Sequence, residues 1–410
     1  MTAWASSTFA ALDTPNYRRY FAGQAVSLVG TWMQTVAQGW LVLELTGSGT
    51  ALGMVAAAQF LPLLLLAPYG GLLADRMDKR RLLLLTQSAL GLMALTLGLL
   101  TVTGAVQLWM VVLLALGLGV CTAVDTPARQ AFAQEMVGPS RVRNAVTLNS
   151  ILVNSARAVG PAVAGLLIAT TGTGVCFLVN AVSYVAVLAA LLSMDVAALE
   201  PSPRAERARG QVREGIAYVS RTPDLLVPLI MLALVGTLTY EFSVVLPLLA
   251  TAFGGGAGTY GLLTSAMGAG AIIGGLIVAG RGATGLRPLT AAAAMFGLAV
   301  LVTAAAPTAP LAAGALVVVG ATSIAFLTTG NTTLQLAADP RFRGRVMALW
   351  AVAFLGSTPL GAPVIGAVSE HISPRGGLLV GGLACLTAAA IGALAQSRER
   401  HRARTGEAPA

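Results

Sequence analysis

The chain has 410 residues, of which 56% are hydrophobic and only 10% charged, and its mean hydropathy is +0.80. Soluble domains carry about 25% charged residues, so this composition excludes an ordinary water-facing globule and selects a lipid bilayer as solvent. The net charge of +9 sits in small clusters between apolar runs, not on a basic face with interleaved aromatics, which excludes a nucleic-acid surface.

A membrane crossing takes about 20 apolar residues. Residues 1–17 are expected as a cytoplasmic segment; Met1 to Pro15 lack the charged start and cleavage site of a secretory signal, so the first span is expected to stay in the mature protein. Spans follow at 21–44, 51–74, 82–103, 106–128, 143–170 and 173–194, then at 225–250, 258–280, 288–306, 310–335, 344–369 and 375–396. Helix-breaking punctuation separates them at Thr46–Gly49, Thr103–Gly104, Thr171–Gly174, Gly254–Gly256 and Pro307–Pro310. The fold class expected is an all-α membrane protein with twelve transmembrane helices in two pseudo-symmetric six-helix bundles. The bundles are placed at 18–194 and 225–396, with a cytoplasmic linker at 195–224 and a basic cytoplasmic tail at 397–410. The linker, with Arg204, Glu206, Arg207, Arg209, Arg213 and Glu214, reads as a surface helix or as a lipid or partner site.

With both termini inside, the inner loops collect Arg76, Lys79, Arg80, Arg81, Arg141, Arg143, Arg281, Arg287, Arg341, Arg343 and Arg345, and Arg375 alone falls outside. That asymmetry is what the positive-inside rule requires, and a wrong span count would scramble it. Cys121, Cys176 and Cys385 lie inside apolar runs with no short spacing, so neither a disulfide framework nor a metal site is expected.

The two halves repeat. Leu28–Thr31 recurs as Leu234–Thr237, Gly70 and Gly71 as Gly274 and Gly275, and Arg141, Arg143 and Pro161 as Arg343, Arg345 and Pro363. The offset drifts only from 206 to 204 to 202, as a duplicated six-helix unit would give. Parallel repeats of this kind are a transporter architecture with the substrate between the halves.

The loop after the second span reads Gly71-Leu-Leu-Ala-Asp75-Arg-Met-Asp78-Lys79-Arg80-Arg81. It resembles the loop motif of the major facilitator superfamily, with Asp78 where a second Gly is usual and Lys79 where an Arg is usual. The resemblance implies a gating role: Asp75 meeting the start of span 11 near Arg343 and Arg345, and Lys79 or Arg80 pairing with Asp125. A plain positive-inside anchor is the other reading. A left-handed turn at Asp78 would need an acidic residue, which tolerates that conformation better than most. Span 5 carries Gly160, Pro161 and Gly165, which resemble the Gly-Pro motif of the superfamily's proton antiporters, with Ala164 in place of a further glycine. With Asp125–Arg129, nearly the whole chain is similar to the drug:proton antiporter branch that includes siderophore exporters and macrolide efflux pumps, the transmembrane secretion effectors.

Ionisable residues at membrane depth are functional candidates by default. Glu241, between Tyr240 and Phe242 in span 7, is the candidate proton-coupling carboxylate; a structural acid, or one near the outer mouth, is the alternative. Arg157, midway along span 5, needs a partner, and Asp125, Glu241 or an anionic substrate would supply one. By resemblance, spans 1, 4, 7 and 10 line the cavity. Trp32, Gln34, Gln38, Tyr240, Thr328, Asn331 and Thr332 are then the candidates for an amphiphilic ligand, helix–helix hydrogen bonding being the competing use.

Lys79, the sole lysine, lacks the glycine loop of a phosphate-binding motif, so an ion gradient is the expected fuel and no cofactor is implied. The expected partners are a small molecule, protons and the lipid bilayer, with the chain acting as a monomer in the inner (plasma) membrane. Proton-coupled export leads; a proton-coupled importer, an uncoupled facilitator and a membrane enzyme remain open. No zinc-protease motif or Gly-x-Ser-x-Gly turn supports the last.

Overall fold

The computed structural model of the chain describes residues 9–200, 211–281, 284–354 and 357–405. Its helices are α1 (Pro15–Thr46), α2 (Gly49–Arg76), α3 (Lys79–Val102), α4 (Leu108–Val137), α5 (Val142–Thr171), α6 (Thr173–Leu192) and α7 (Gln211–Ser220). They continue as α8 (Pro223–Leu238), α9 (Phe242–Ala252), α10 (Ala257–Arg281), α11 (Leu286–Ala305), α12 (Ala309–Ala337), α13 (Arg343–Phe354), α14 (Thr358–His371) and α15 (Pro374–Thr405). Short 3-10 turns lie at Ala10–Asp13 and Val196–Ala198.

Among the described residues, 11 stretches are long and apolar enough to cross a membrane, α8 with α9 forming one and α13 with α14 another. α1 has the length for a twelfth, since its 32 residues rise about 48 Å. Polar side chains lower its hydropathy, and the helix turns many of them inward: Asn16, Gln24, Ser27, Gln34 and Gln38 are all buried. Neighbouring helices receive the polar face.

Two expected boundaries are corrected. Span 4 runs nine residues further than expected, to Val137, because its amphipathic end contributes Phe132, Glu135 and Met136 to the buried interior. The last helix continues to Thr405 through the basic tail, whose charges stop an apolar run without stopping a helix. Several turns are made by glycine at the expected punctuation; Gly47 (φ 63°) and Gly172 (φ 89°) hold left-handed conformations that a side chain would strain. Of the linker, residues 201–210, with Arg204, Glu206, Arg207 and Arg209, lie outside the described residues.

The chain forms two compact units. The first comprises Met1–Gly47, Ala58–Glu206 and Gly255–Ser265, and the second Ser48–Ala57, Arg207–Gly254 and Ala266–Ala410. The first turns of α2 belong to the second unit because they pack closely on α14. A Cβ on Gly53 would strike the Ala362 carbonyl, and Glu370 Oε2 accepts from Ser48 Oγ (2.6 Å) and from the Thr50 N–H (2.8 Å).

Within each unit the repeat reappears as matched close crossings. In the first, a Cβ on Gly70 of α2 would strike the Ala123 carbonyl of α4; in the second, one on Gly274 of α10 would strike Ala321 of α12. Likewise Gly160 of α5 packs on Val29, Trp32 and Met33 of α1, and Gly361 of α14 on Thr237 of α8. Small residues let helix backbones approach in this way, and that packing substitutes for a hydrophobic drive in lipid.

Candidate transport site

Span 7 is not the continuous helix expected. It breaks between α8 and α9, and Glu241 stands at the break as the residue before α9 (φ −83°, ψ 36°). At the same place the Thr239 hydroxyl turns away to donate to the Gly381 carbonyl of α15 at 2.8 Å. Hydropathy does not report such a break.

The Glu241 side chain is 2% exposed. Thr358, at the start of α14, lies near its carboxyl. One oxygen, Oε1, has no hydrogen-bond partner among the described residues, and a Cβ on Gly361 would lie 3.1 Å from it. An orphaned carboxyl oxygen in apolar surroundings is costly as an anion and tolerable as a neutral acid. The preceding residue is packed among aromatics: the Tyr240 ring packs edge-on to Phe354 (4.7 Å), Phe296 (5.4 Å) and Phe242 (6.3 Å). Its hydroxyl donates to the Ser323 carbonyl of α12 at 2.8 Å, so Tyr240 is held at both ends.

Further along α12, Thr328, Asn331 and Thr332 share one face, as their spacing requires. Thr328 is exposed and the other two are half-buried, with Asn331 accepting from Gln335. They remain accessible, unlike the glutamines of α1. Gln34 is buried and accepts from Asn180 of α6 at 2.6 Å; Gln38 is buried and donates to Gln59 of α2 at 3.4 Å. Both serve helix–helix bonding.

In the first unit, the Arg157 guanidinium lies 4.8 Å from the centre of the Trp32 ring, a cation–π arrangement. Gly160 explains the approach: a Cβ there would stand 2.6 Å from Trp32 Cβ. Pro161 lies inside α5, and Gly165 meets Gly261 and Ala257 at the start of α10.

Asp125 does not pair with Arg157. It is 1% exposed, and its carboxylate accepts from the Thr86 hydroxyl (2.7 Å), Gln87 Nε2 (2.8 Å) and the Arg129 guanidinium (2.7 Å). Its oxygens are thereby occupied by residues of α3 and by its own next turn. The expected pairing of Lys79 or Arg80 with Asp125 is corrected for the same reason. Lys79 instead meets Glu135 at 2.7 Å, and Arg80 donates to the Leu191 and Leu192 carbonyls that end α6. Glu135 lies on the part of α4 beyond the expected end of the span.

Asp78 is not in a left-handed turn. Its φ is −60°, and it caps α3 by accepting from the Arg81 N–H at 2.7 Å, the ordinary role of an acid before a helix. Gly71 is half-buried on α2 and the Arg81 side chain is exposed. The side chain of Asp75, assigned to the gate by resemblance, lies outside the described residues. Sequence reading misses Thr86, Gln87, Glu135, Asn180, Thr358 and Gly361 as partners; all are small or neutral except Glu135, and only tertiary packing singles them out.

The fold and these sites can be set beside known proteins. The chain is 32% identical to the staphyloferrin A transporter of Staphylococcus aureus over 174 residues, 42% of this chain and 44% of that protein. It is 26% identical to macrolide efflux protein A of Streptococcus pyogenes over 53% of each chain, and 26% identical to the enterobactin exporter EntS of Escherichia coli over 46% of each. It thus spans about half the length of the curated relatives it matches. Among solved structures, a bacterial homologue of the human lysosomal transporter Spinster superposes with a TM-score of 0.74 at 15% identity, over 93% of this chain and 96% of that one. A POT family transporter superposes with 0.75 at 10% identity, over 94% and 96%. These establish the major facilitator fold. Residues 6–407 match the transmembrane secretion effector family, and the chain belongs to that family of major facilitator transporters, which are not enzymes.

Proposed function

We propose that the chain exports small amphiphilic molecules by proton antiport with alternating access, and that Glu241 carries the proton. The observation that carries this reading is the buried carboxyl at the broken helix, whose Oε1 has no hydrogen-bond partner among the described residues. A group so placed can trade one proton as the helix break flexes, and broken helices at membrane depth are where transporters keep their binding groups. The export direction and the substrate class draw support from relatives that move siderophores and macrolides. The accessible face of Thr328, Asn331 and Thr332 offers uncharged hydrogen bonding to such a cargo, while Trp32 and Arg157 offer a flat, cationic surface to an aromatic or anionic one. The cation distribution supports a plasma-membrane protein with both termini cytoplasmic.

One proton crossing about 150 mV supplies roughly 3.5 kcal/mol, enough for a gradient of a few hundredfold. The test is a resistance and accumulation screen in a pump-deficient host, comparing wild type with Glu241→Gln. Wild type is expected to lower accumulation of its substrate and to lose that effect when a protonophore collapses the gradient. Full gradient-dependent efflux by Glu241→Gln refutes the assignment.

A further inference from the structure

A second polar site lies where α8, α11, α12 and α15 converge. A hollow of about 470 Å³ is lined there by Asp224, Arg287, Thr333, Leu336, Gln396 and Arg400, among others. Two of its walls are cationic and come from different helices, Arg287 from α11 and Arg400 from α15. Among the described residues neither guanidinium makes an ion pair, and the hollow's one carboxylate, Asp224, makes none either. A second hollow of about 420 Å³ adjoins it, sharing Gln396 and Arg400 and adding His401.

The floor is the start of α11. Gly285 precedes that helix with no side-chain cap, and its own N–H is taken by Thr333 Oγ1 at 2.9 Å. Pro288 supplies no N–H, so among the described residues the Leu286 and Arg287 amides are the donors left there, at the positive end of the helix dipole. Leu286 and Leu336 make the remaining wall apolar. The cation distribution of the sequence puts this end of α11 on the inner side, at the level of lipid head groups.

We propose that this hollow binds a phosphate-bearing anion, through Arg287 and Arg400, at the inner membrane surface. Two guanidiniums and the helix start offer the charged and N–H donors that a phosphate accepts from, and the apolar wall suits the acyl chains of an anionic lipid. Free phosphate shares that chemistry and is the other source. The inner placement rests on the membrane orientation given above, but the binding does not depend on transport.

Native mass spectrometry of the purified full-length chain tests it, with phosphatidylglycerol, phosphatidylcholine and inorganic phosphate as probes. Wild type is expected to retain phosphatidylglycerol over phosphatidylcholine, or to bind inorganic phosphate; whichever it holds names the source. Arg287→Gln/Arg400→Gln is expected to weaken that binding about thirtyfold, at roughly 1 kcal/mol for each of the two cations near a membrane surface. Arg341→Gln, another inner arginine, should leave it unchanged, and Asp224→Asn should tighten it. Binding that survives in the double variant at wild-type strength, falls equally in Arg341→Gln, or is missing for both anions in wild type overturns the site. Because the readout is binding to purified protein, it stands or fails independently of the export reading.

Discussion

Asp125 is a residue whose removal the structure makes costly. Its carboxylate is 1% exposed and receives three donors: Thr86, Gln87 and Arg129, at 2.7, 2.8 and 2.7 Å. Asp125→Ala orphans two neutral donors and a guanidinium that is itself only 28% exposed. Breaking a buried ion pair from one side costs about 3–5 kcal/mol in water-soluble proteins. Polar interactions between membrane helices measure lower, about 0.6 kcal/mol on average, because the unfolded chain also finds partners in lipid. With all three hydrogen bonds broken and a cation stranded, about 2–4 kcal/mol is the expected cost here. Asp125→Asn, which keeps an acceptor, should cost about half of that, and Arg129→Ala less again, since Asp125 then retains two donors. The double variant Asp125→Ala/Arg129→Ala should cost at least about 1 kcal/mol less than the sum of the singles, because the orphaned cation is gone too. Denaturation by sodium dodecyl sulfate in mixed micelles reads all four. If Asp125→Ala unfolds with wild type, or if the two singles add without coupling, the pair contributes nothing and the reasoning is wrong.

Three further outcomes follow from the geometry. Asp78→Ala should lose the cap on α3, about 1 kcal/mol, and Asp78→Gly only a few tenths; a left-handed turn would reverse the sign for Gly, and melting temperatures distinguish the two. Gly361→Ala forces a Cβ against the Thr237 carbonyl and toward Glu241, so it should cost about 1–3 kcal/mol by overpacking and lower transport; a variant that melts with wild type would show that the crossing relaxes freely. Gln34→Leu should be destabilising because it leaves the buried Asn180 amide unpaired, whereas Gln34→Leu/Asn180→Leu should approach wild-type stability and keep transport. Lost substrate affinity in the double variant, at unchanged stability, would restore Gln34 to the binding site.

The fold is legible in the sequence because its causes are local and repeated. Twenty-residue apolar runs, glycine punctuation such as Gly47 and Gly172, and cations on alternate loops each follow from the bilayer as solvent. The duplicated Gly70 and Gly274 mark real helix crossings. What the sequence hides is tertiary or is set by few atoms. The break at Glu241 lies beside Thr239, whose hydroxyl bonds to Gly381, a residue 142 positions away, and no window of hydropathy contains both. α1 presents the converse problem: its glutamines look like cavity groups from sequence, yet Gln34 is spent on Asn180. Lys79 pairs with Asp125 on paper because the family resemblance suggests it, and the expected end of span 4 stops short of Glu135, the partner it has. Charged and amphipathic helix ends extend past the hydrocarbon, and apolar counting trims them. The cap at Asp78 is legible in principle, since an acid directly before a helix start is a capping signal, but the family motif has a glycine turn at that position and suggests one here.

Purified wild type and Glu241→Gln, reconstituted in proteoliposomes, separate coupling from binding most directly. Counterflow of labelled substrate without a pH gradient should persist in both, while substrate accumulation driven by an imposed pH gradient, and the matching proton flux seen by an internal pH dye, should occur in wild type alone. Gradient-driven accumulation of equal extent in Glu241→Gln would contradict the proton-carrying role at the centre of the account.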